Sequence, residues 1–319
     1  MGILPSWRDG VARAAITGFI SRVTTGDESV PPEQRVAVFD NDGTLWTEKP
    51  MPTQLHYLVQ QWAAAAHADP ALAERQPYAA AASNNLGWLG AAVDKHYAGD
   101  DSDLKLLIGG ILDSTQGMSV DAYEESVAEF YRVAEHLTLH RPYSGAVYQP
   151  MMELLRYLEF HDFTCYIVSG GERDFMRPMT TDYYGIPPER VIGSAFGLEY
   201  VDGEVRYGSS LSFFDDGPEK PVRIWSRIGR RPILAVGNSN GDLQMLEYLS
   251  ESSPTLSLLV HHDDDTGRGD TPYDKGAELA LAAVRDGYVT PISVKDDWSA
   301  VFPEWPAEKL PAGSAQNPN

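Results

Sequence analysis

Asp40 and Asp42 stand two residues apart at the end of the apolar run Val36 to Phe39, and Gly43 and Thr44 follow them. Alternate residues of an extended backbone project to one face, so the two carboxyls share a side and can divide a reaction between them. One can attack an electrophile as a carboxylate and carry a covalent intermediate. The other can protonate a leaving alcohol and later deprotonate an attacking water. Acids placed beyond an apolar strand must be hydrated, paired or bound to a cation. Three later stretches hold suitable companions: Ser169-Gly170-Gly171, Lys220-Pro221, and Gly237-Asn238 through Asp242. A serine hydroxyl and the flexible backbone at Gly170 can bond phosphate oxygens. A lysine such as Lys220 supplies the charge that lets a carboxylate approach a phosphate dianion.

These residues need strands to deliver them. The Val- and Phe-rich run before Asp40 reads as a central parallel strand, and Phe163 to Val168 as a second, followed by Ser169-Gly-Gly turning into a helix near Arg173 to Tyr184. Val191 to Tyr200, Ile233 to Val236 and Leu256 to Val260 read as further strands, with an Asp-Gly hairpin turn at Val201 to Val205. Helices are expected over Tyr148 to Glu159, Pro221 to Ile228, Leu243 to Leu249 and Ala277 to Val284. This alternation predicts an α/β fold: a Rossmann-like parallel sheet core with helices on both faces, and a ligand site beyond the carboxyl ends of its strands. Between the first two strands the chain turns rich in Ala, Leu, Gln and aromatic residues, with helical spacing in Leu55, Leu58, Val59, Trp62 and Ala66 and a helix N-cap at Ser119. The expected organisation is a core over 1–47 and 142–303, an inserted all-helical cap over 48–141, and a flexible tail over 304–319.

The chain has 319 residues, 43% of them hydrophobic, enough for a large core with an accessory part. Its 25 Lys and Arg against 46 Asp and Glu give a formal charge of -21, which argues against nucleic acid as a partner. A small anion must then be held by local devices: a metal ion, a lysine, backbone amides. Cys165 stands alone, so there is no disulfide or multi-cysteine zinc site to expect. No signal peptide or membrane span is legible, and a cytoplasmic setting is the expectation.

Taken together and in order, Asp40-Asn-Asp42-Gly-Thr44, Ser169-Gly170, Lys220 and Gly237 to Asp242 resemble the four motifs of the haloacid dehalogenase-like (HAD) hydrolases, most closely their phosphoserine phosphatase-like branch. The resemblance covers Arg35 to Trp46 and Phe163 to Val260, and the helical insertion is similar to the mobile cap that closes over substrate in that family. It implies a phosphatase acting on a small phosphorylated substrate, with Asp40 as nucleophile and Asp42 as acid and base. Members that cleave carbon–halogen bonds lack the second acid, so Asp42 favours phosphate transfer to water. Magnesium is the implied cofactor, with its preference for an octahedral oxygen shell. It would take the Asp40 side chain, the Asp42 main-chain carbonyl and Asn238, with Asp242 orienting the metal shell or Lys220. The family usually has Asp where Asn238 stands; a neutral amide predicts weaker magnesium binding.

Two other readings accompany this one: phosphoryl transfer to another acceptor, as in mutases of the superfamily, and a phosphate-binding regulator without turnover, for which Asn238 speaks. The run His261-His262-Asp263-Asp264-Asp265 reads as a polar loop, since adjacent ligands rarely converge on one ion. The aromatic residues Trp62, Tyr78, Trp88, Tyr97 and Tyr131 read as core. Glu48, Lys49, Met51, Gln54 and His56, directly after the first motif, are the candidates for substrate specificity.

Overall fold

The computed structural model describes residues 3–97 and 99–304. Seven strands form one sheet: β1 (Val36–Phe39), β2 (Thr164–Glu172), β3 (Val191–Val201), β4 (Glu204–Phe213), β5 (Leu234–Gly237), β6 (Leu256–His261) and β7 (Thr290–Ser293). Their order is β4-β3-β2-β1-β5-β6-β7, parallel throughout except for the β3/β4 hairpin. β1 is central, and the chain leaves it toward β2 on one side and returns to β5 on the other. The strand order reverses there, and such a reversal opens a crevice at the carboxyl ends.

β1 is buried along its whole length, and its side chains alternate between two cores. Ala37 and Phe39 join the larger cluster, which includes Ile16 and Phe19 of helix Val11–Thr24 and Leu154 and Leu158 of helix Gln149–Phe160. Val36 and Val38 face Ile224, Met245 and Ala280 of the helices Glu219–Ile228, Leu243–Glu247 and Glu278–Arg285. The sheet is thus covered on both faces, which is why its strands read as unbroken apolar runs.

The segment between β1 and β2 is helical, with helices Thr53–Ala68, Tyr78–Ala82, Leu86–Tyr97, Ser102–Thr115 and Val120–Val133. Ser119 caps the last of these by accepting from the Ala122 amide at 3.2 Å. Its apolar side chains merge with those over the sheet: the Tyr57 and Tyr131 rings lie 5.5 and 5.2 Å from Phe175 of helix Arg173–Tyr184. The chain before Ser119 also joins the sheet's outer edge. Gly117 donates to the Tyr207 carbonyl at 2.8 Å and the Tyr207 amide donates to Met118 at 3.0 Å, in β4.

The structure corrects three local expectations. Ser169 to Gly171 is not a turn but continues β2, with a register shift against β3 between Ser169 and Glu172. Helix Glu219–Ile228 begins two residues before Pro221, so Lys220 lies within its first turn. β7 was not expected. The tail expected over 304–319 falls outside the described residues beyond Glu304. Among the described residues no helix is long and apolar enough to cross a membrane.

Candidate active site

Asp40 follows β1 while still held in the sheet, its amide donating to the Val236 carbonyl of β5 at 2.9 Å. The backbone then turns tightly: the Asn41 carbonyl accepts from Leu45 at 2.8 Å and Thr44 at 3.1 Å, and Gly43 donates to Trp46 at 2.9 Å. Gly43 has φ of +78°, and a Cβ there would lie 2.1 Å from Asn238 Nδ2. Only glycine permits both the conformation and the approach.

The Asp42 carboxyl accepts from the Trp46 indole at 2.8 Å. Burial, reinforced by the charge of Glu48, pushes this carboxyl up to about 6 against the pull of the Trp46 hydrogen bond and Lys220. An acid poised there can both give and take a proton near neutrality.

Lys220 is enclosed, and its ammonium donates to Asp242 Oδ1 at 2.6 Å, Asp40 Oδ1 at 2.8 Å and the Val168 carbonyl at 3.0 Å. All three of its donors are used. Burial opposes the charge, but Asp242 and Asp40 outweigh it and hold the ammonium well above the ordinary lysine range. Burial likewise raises the Asp40 carboxyl, with Lys220 pulling the other way.

Asp242 is committed on both oxygens. Oδ1 takes Lys220, and Oδ2 accepts from the amides of Asn238 and Ser239, each at 2.9 Å, and from the Ser239 hydroxyl at 3.1 Å. Ser169 is buried at the end of β2's regular pairing, its hydroxyl accepting from the Gly171 amide at 3.1 Å. The Gly170 carbonyl accepts from Ser194 at 2.7 Å, and Ser194 in turn accepts from the Asp215 amide at 2.9 Å, which stiffens this segment from behind.

Asn238 follows β5. Its Oδ1 accepts from the Thr44 hydroxyl at 3.2 Å and its Nδ2 donates to the Tyr273 hydroxyl at 3.1 Å. Asp40 Oδ2, the main-chain carbonyl of Asp42 and Asn238 Oδ1 are all oxygen donors at the tips of β1 and β5. That donor set suits magnesium and not a soft metal, and Asp40 Oδ2 has no side-chain partner among the described residues. Among the described residues no group of three or more His, Cys, Asp and Glu gathers to hold an ion, here or elsewhere.

Asp40, Asp42, Ser169, Gly170, Lys220 and Asn238 all line one cavity of about 670 Å³, with Asp242 outside the lining behind Lys220. Glu48, Lys49 and Gln54 line it too; Met51 and His56 do not, and His56 bonds Tyr143 at 2.6 Å instead. Trp62, read as core, is both buried and part of the wall.

Two residues of the site escape a sequence reading. Tyr273 lines the cavity, donates to Glu48 and stacks on His262 with ring centroids 4.7 Å apart. His262 donates from Nε2 to the Gly43 carbonyl at 2.7 Å and pairs through Nδ1 with Asp270 at 2.8 Å, buttressing the turn after Asp40. Burial opposes a charge on His262, but Asp270 and the Gly43 carbonyl hold it above the ordinary histidine range. The rest of the 261–265 run disperses: Asp263 accepts from Ser293, Asp264 from Arg268, Asp265 from Lys295. The only signal was that this polar loop follows a strand on the same side of the sheet as Asp40.

A family model described as haloacid dehalogenase-like hydrolase matches residues 37–247. Among solved structures, a conserved protein of unknown function from Anaerococcus prevotii is 15% identical, with 92% of this chain and 94% of that one covered and a TM-score of 0.56. A protein of unknown function from Bordetella pertussis is 17% identical, with 81% and 98% covered and a TM-score of 0.51. A phosphoserine phosphohydrolase-like protein from Francisella tularensis is 18% identical, with 78% and 99% covered and a TM-score of 0.39. No curated protein matches the sequence. At these identities the first two share the fold.

Proposed function

Because the chain belongs to the haloacid dehalogenase-like hydrolases, we propose that it is a magnesium-dependent phosphatase that hydrolyses a phosphomonoester through a phosphorylated Asp40. The observation that carries this reading is the Lys220 ammonium, buried within 2.8 Å of Asp40 and 2.6 Å of Asp242, beside a second acid, Asp42, whose carboxyl burial pushes up to about 6. The lysine's charge offsets part of the negative charge that Asp40, Asp242 and a phosphate dianion bring together.

In this reading Ser169 and the Gly170 amide hold the phosphate, and Lys220, its three donors engaged, contributes its charge beside Asp40. Asp40 attacks phosphorus as the bond to the alcohol oxygen breaks, and protonated Asp42 gives that oxygen its proton. The alcohol departs. Asp42, now a carboxylate, takes a proton from water, whose oxygen attacks the same phosphorus; the bond to Asp40 breaks and inorganic phosphate leaves. Asp40, the Asp42 carbonyl and Asn238 would hold magnesium, which when bound supplies charge that keeps Asp40 ionised and neutralises the phosphate. Asp242 orients Lys220.

The test is phosphate release from p-nitrophenyl phosphate with and without magnesium, joined to acid quenching during turnover. Metal-dependent release with one hydroxylamine-labile phosphoryl group on Asp40 is the expected result. Absence of release across a broad monoester panel would sink the reading.

A further inference from the structure

Away from Lys220 the cavity changes character. Its wall is supplied there by Leu58 and Trp62 of helix Thr53–Ala68, Leu107 and Ile108 of helix Ser102–Thr115, Phe196 of β3 and Leu211 of β4. The polar atom of Trp62 is turned away into the protein, its indole donating to the Gly110 carbonyl at 3.2 Å. The volume of about 670 Å³ lies in the range that encloses a drug-sized molecule and exceeds what a phosphate needs.

The charges on the wall point the same way. Its lining residues include six acids and three lysines. Asp40, Asp42 and Lys220 belong to the phosphate end, which leaves four acids against Lys49 and Lys275. Lys49 stands 3.7 Å from Glu48 and 4.1 Å above the Tyr273 ring. A leaving group with its own carboxylate or second phosphate would meet an excess of like charge.

We propose that the substrate is the monoester of an uncharged, apolar alcohol, with its phosphate at Asp40 and its carbon chain between the inserted helices and the β3/β4 hairpin. This rests on the phosphatase reading for its chemistry and on the cavity wall for its specificity. The apolar wall has one use in such a reaction: it binds the alcohol by removing carbon from water.

The experiment is a series of n-alkyl phosphates from methyl to octyl, with phosphoserine alongside, turned over by the full chain in magnesium. Each methylene that enters the cavity should raise kcat/KM by up to about fourfold, carried by KM, and phosphoserine should do no better than methyl phosphate. Ile108→Asp, checked for folding by circular dichroism, should flatten the series; Leu211→Ser serves the same purpose should Ile108→Asp fail to fold. A series independent of length, a preference for phosphoserine, or an unaltered gradient in a folded variant overturns the proposal. If no monoester at all is hydrolysed, the phosphatase reading fails. The same alkyl phosphates are then titrated into the chain by calorimetry, where affinity that grows with length upholds the apolar site and affinity blind to length overturns it.

Discussion

The Asn238 side chain donates to the Tyr273 hydroxyl at 3.1 Å, and that bond turns its oxygen end toward Thr44 and the tip of β1. The Tyr273 hydroxyl gives its own proton to Glu48, so toward residue 238 it can only accept. An amide satisfies that arrangement and a carboxylate does not. The departure at this position from the acid usual in the family is therefore matched by its two neighbours, Tyr273 and Glu48.

Asn238→Asp is expected to lower the magnesium concentration for half-maximal activity, since a charged ligand replaces a neutral one. Without metal it should cost about 1–3 kcal/mol of stability, because a buried carboxylate then faces the Tyr273 oxygen in place of an amide donor. Magnesium titration of activity and urea denaturation in chelator check the two halves. Unchanged metal activation would mean that Asn238 does not face the ion.

Lys220→Met keeps most of the side-chain volume but leaves Asp40 and Asp242 buried without their common partner. Breaking a buried pair from one side costs about 3–5 kcal/mol, so denaturation midpoints should fall steeply and phosphatase activity should vanish. Adding Asp242→Asn to that variant should return part of the stability and none of the activity. Recovery of turnover in the double variant would contradict the role given to Lys220.

Both carboxyl oxygens of Asp215 are buried without a hydrogen-bond partner among the described residues, and burial pushes this group up to about 7 despite Lys220 and Arg223. The unfolded chain gives up the proton near the ordinary 3.8. The stability that protonated Asp215 contributes is thus complete below that value and is lost as pH rises through about 7. Asp215→Asn should gain on the parent as pH increases, by at most about 4 kcal/mol. Urea denaturation at pH 5 and pH 8 measures the gap; a difference equal at both values would refute the assignment.

Asp40→Asn should reduce phosphate release at least about a thousandfold while the far-UV spectrum and a cooperative thermal transition persist. Substantial residual turnover in that variant would remove Asp40 as the nucleophile.

The parallel strands and the acids at their tips were legible because each strand buried on two faces is an apolar run that stops where its backbone meets the ligand crevice. β7 was not: its four residues include Pro291, and only Ile292 is buried, leaving neither run nor alternation to read. Gly170 and Gly171 misled in the other direction. Glycine usually breaks a strand, yet here it marks a register shift within one. Tyr273 and His262 were hidden for a different reason. Their partners Gly43, Glu48 and Asn238 lie far away in sequence, and a polar loop carries no local trace of what it will fold against. The apolar wall was half visible, since the spacing that placed Leu58 and Trp62 on one helix face could not say that part of that face would look onto a cavity.

The hydrogen bonds that Gly117 and Met118 share with Tyr207 do more than anchor the inserted helices. β4 is the last strand on its side of the sheet, and an unpaired outer strand invites another chain to add to it. By occupying Tyr207, the inserted chain shields that stretch of the edge: a change that loosens this contact uncovers a ledge on which a second molecule can polymerise.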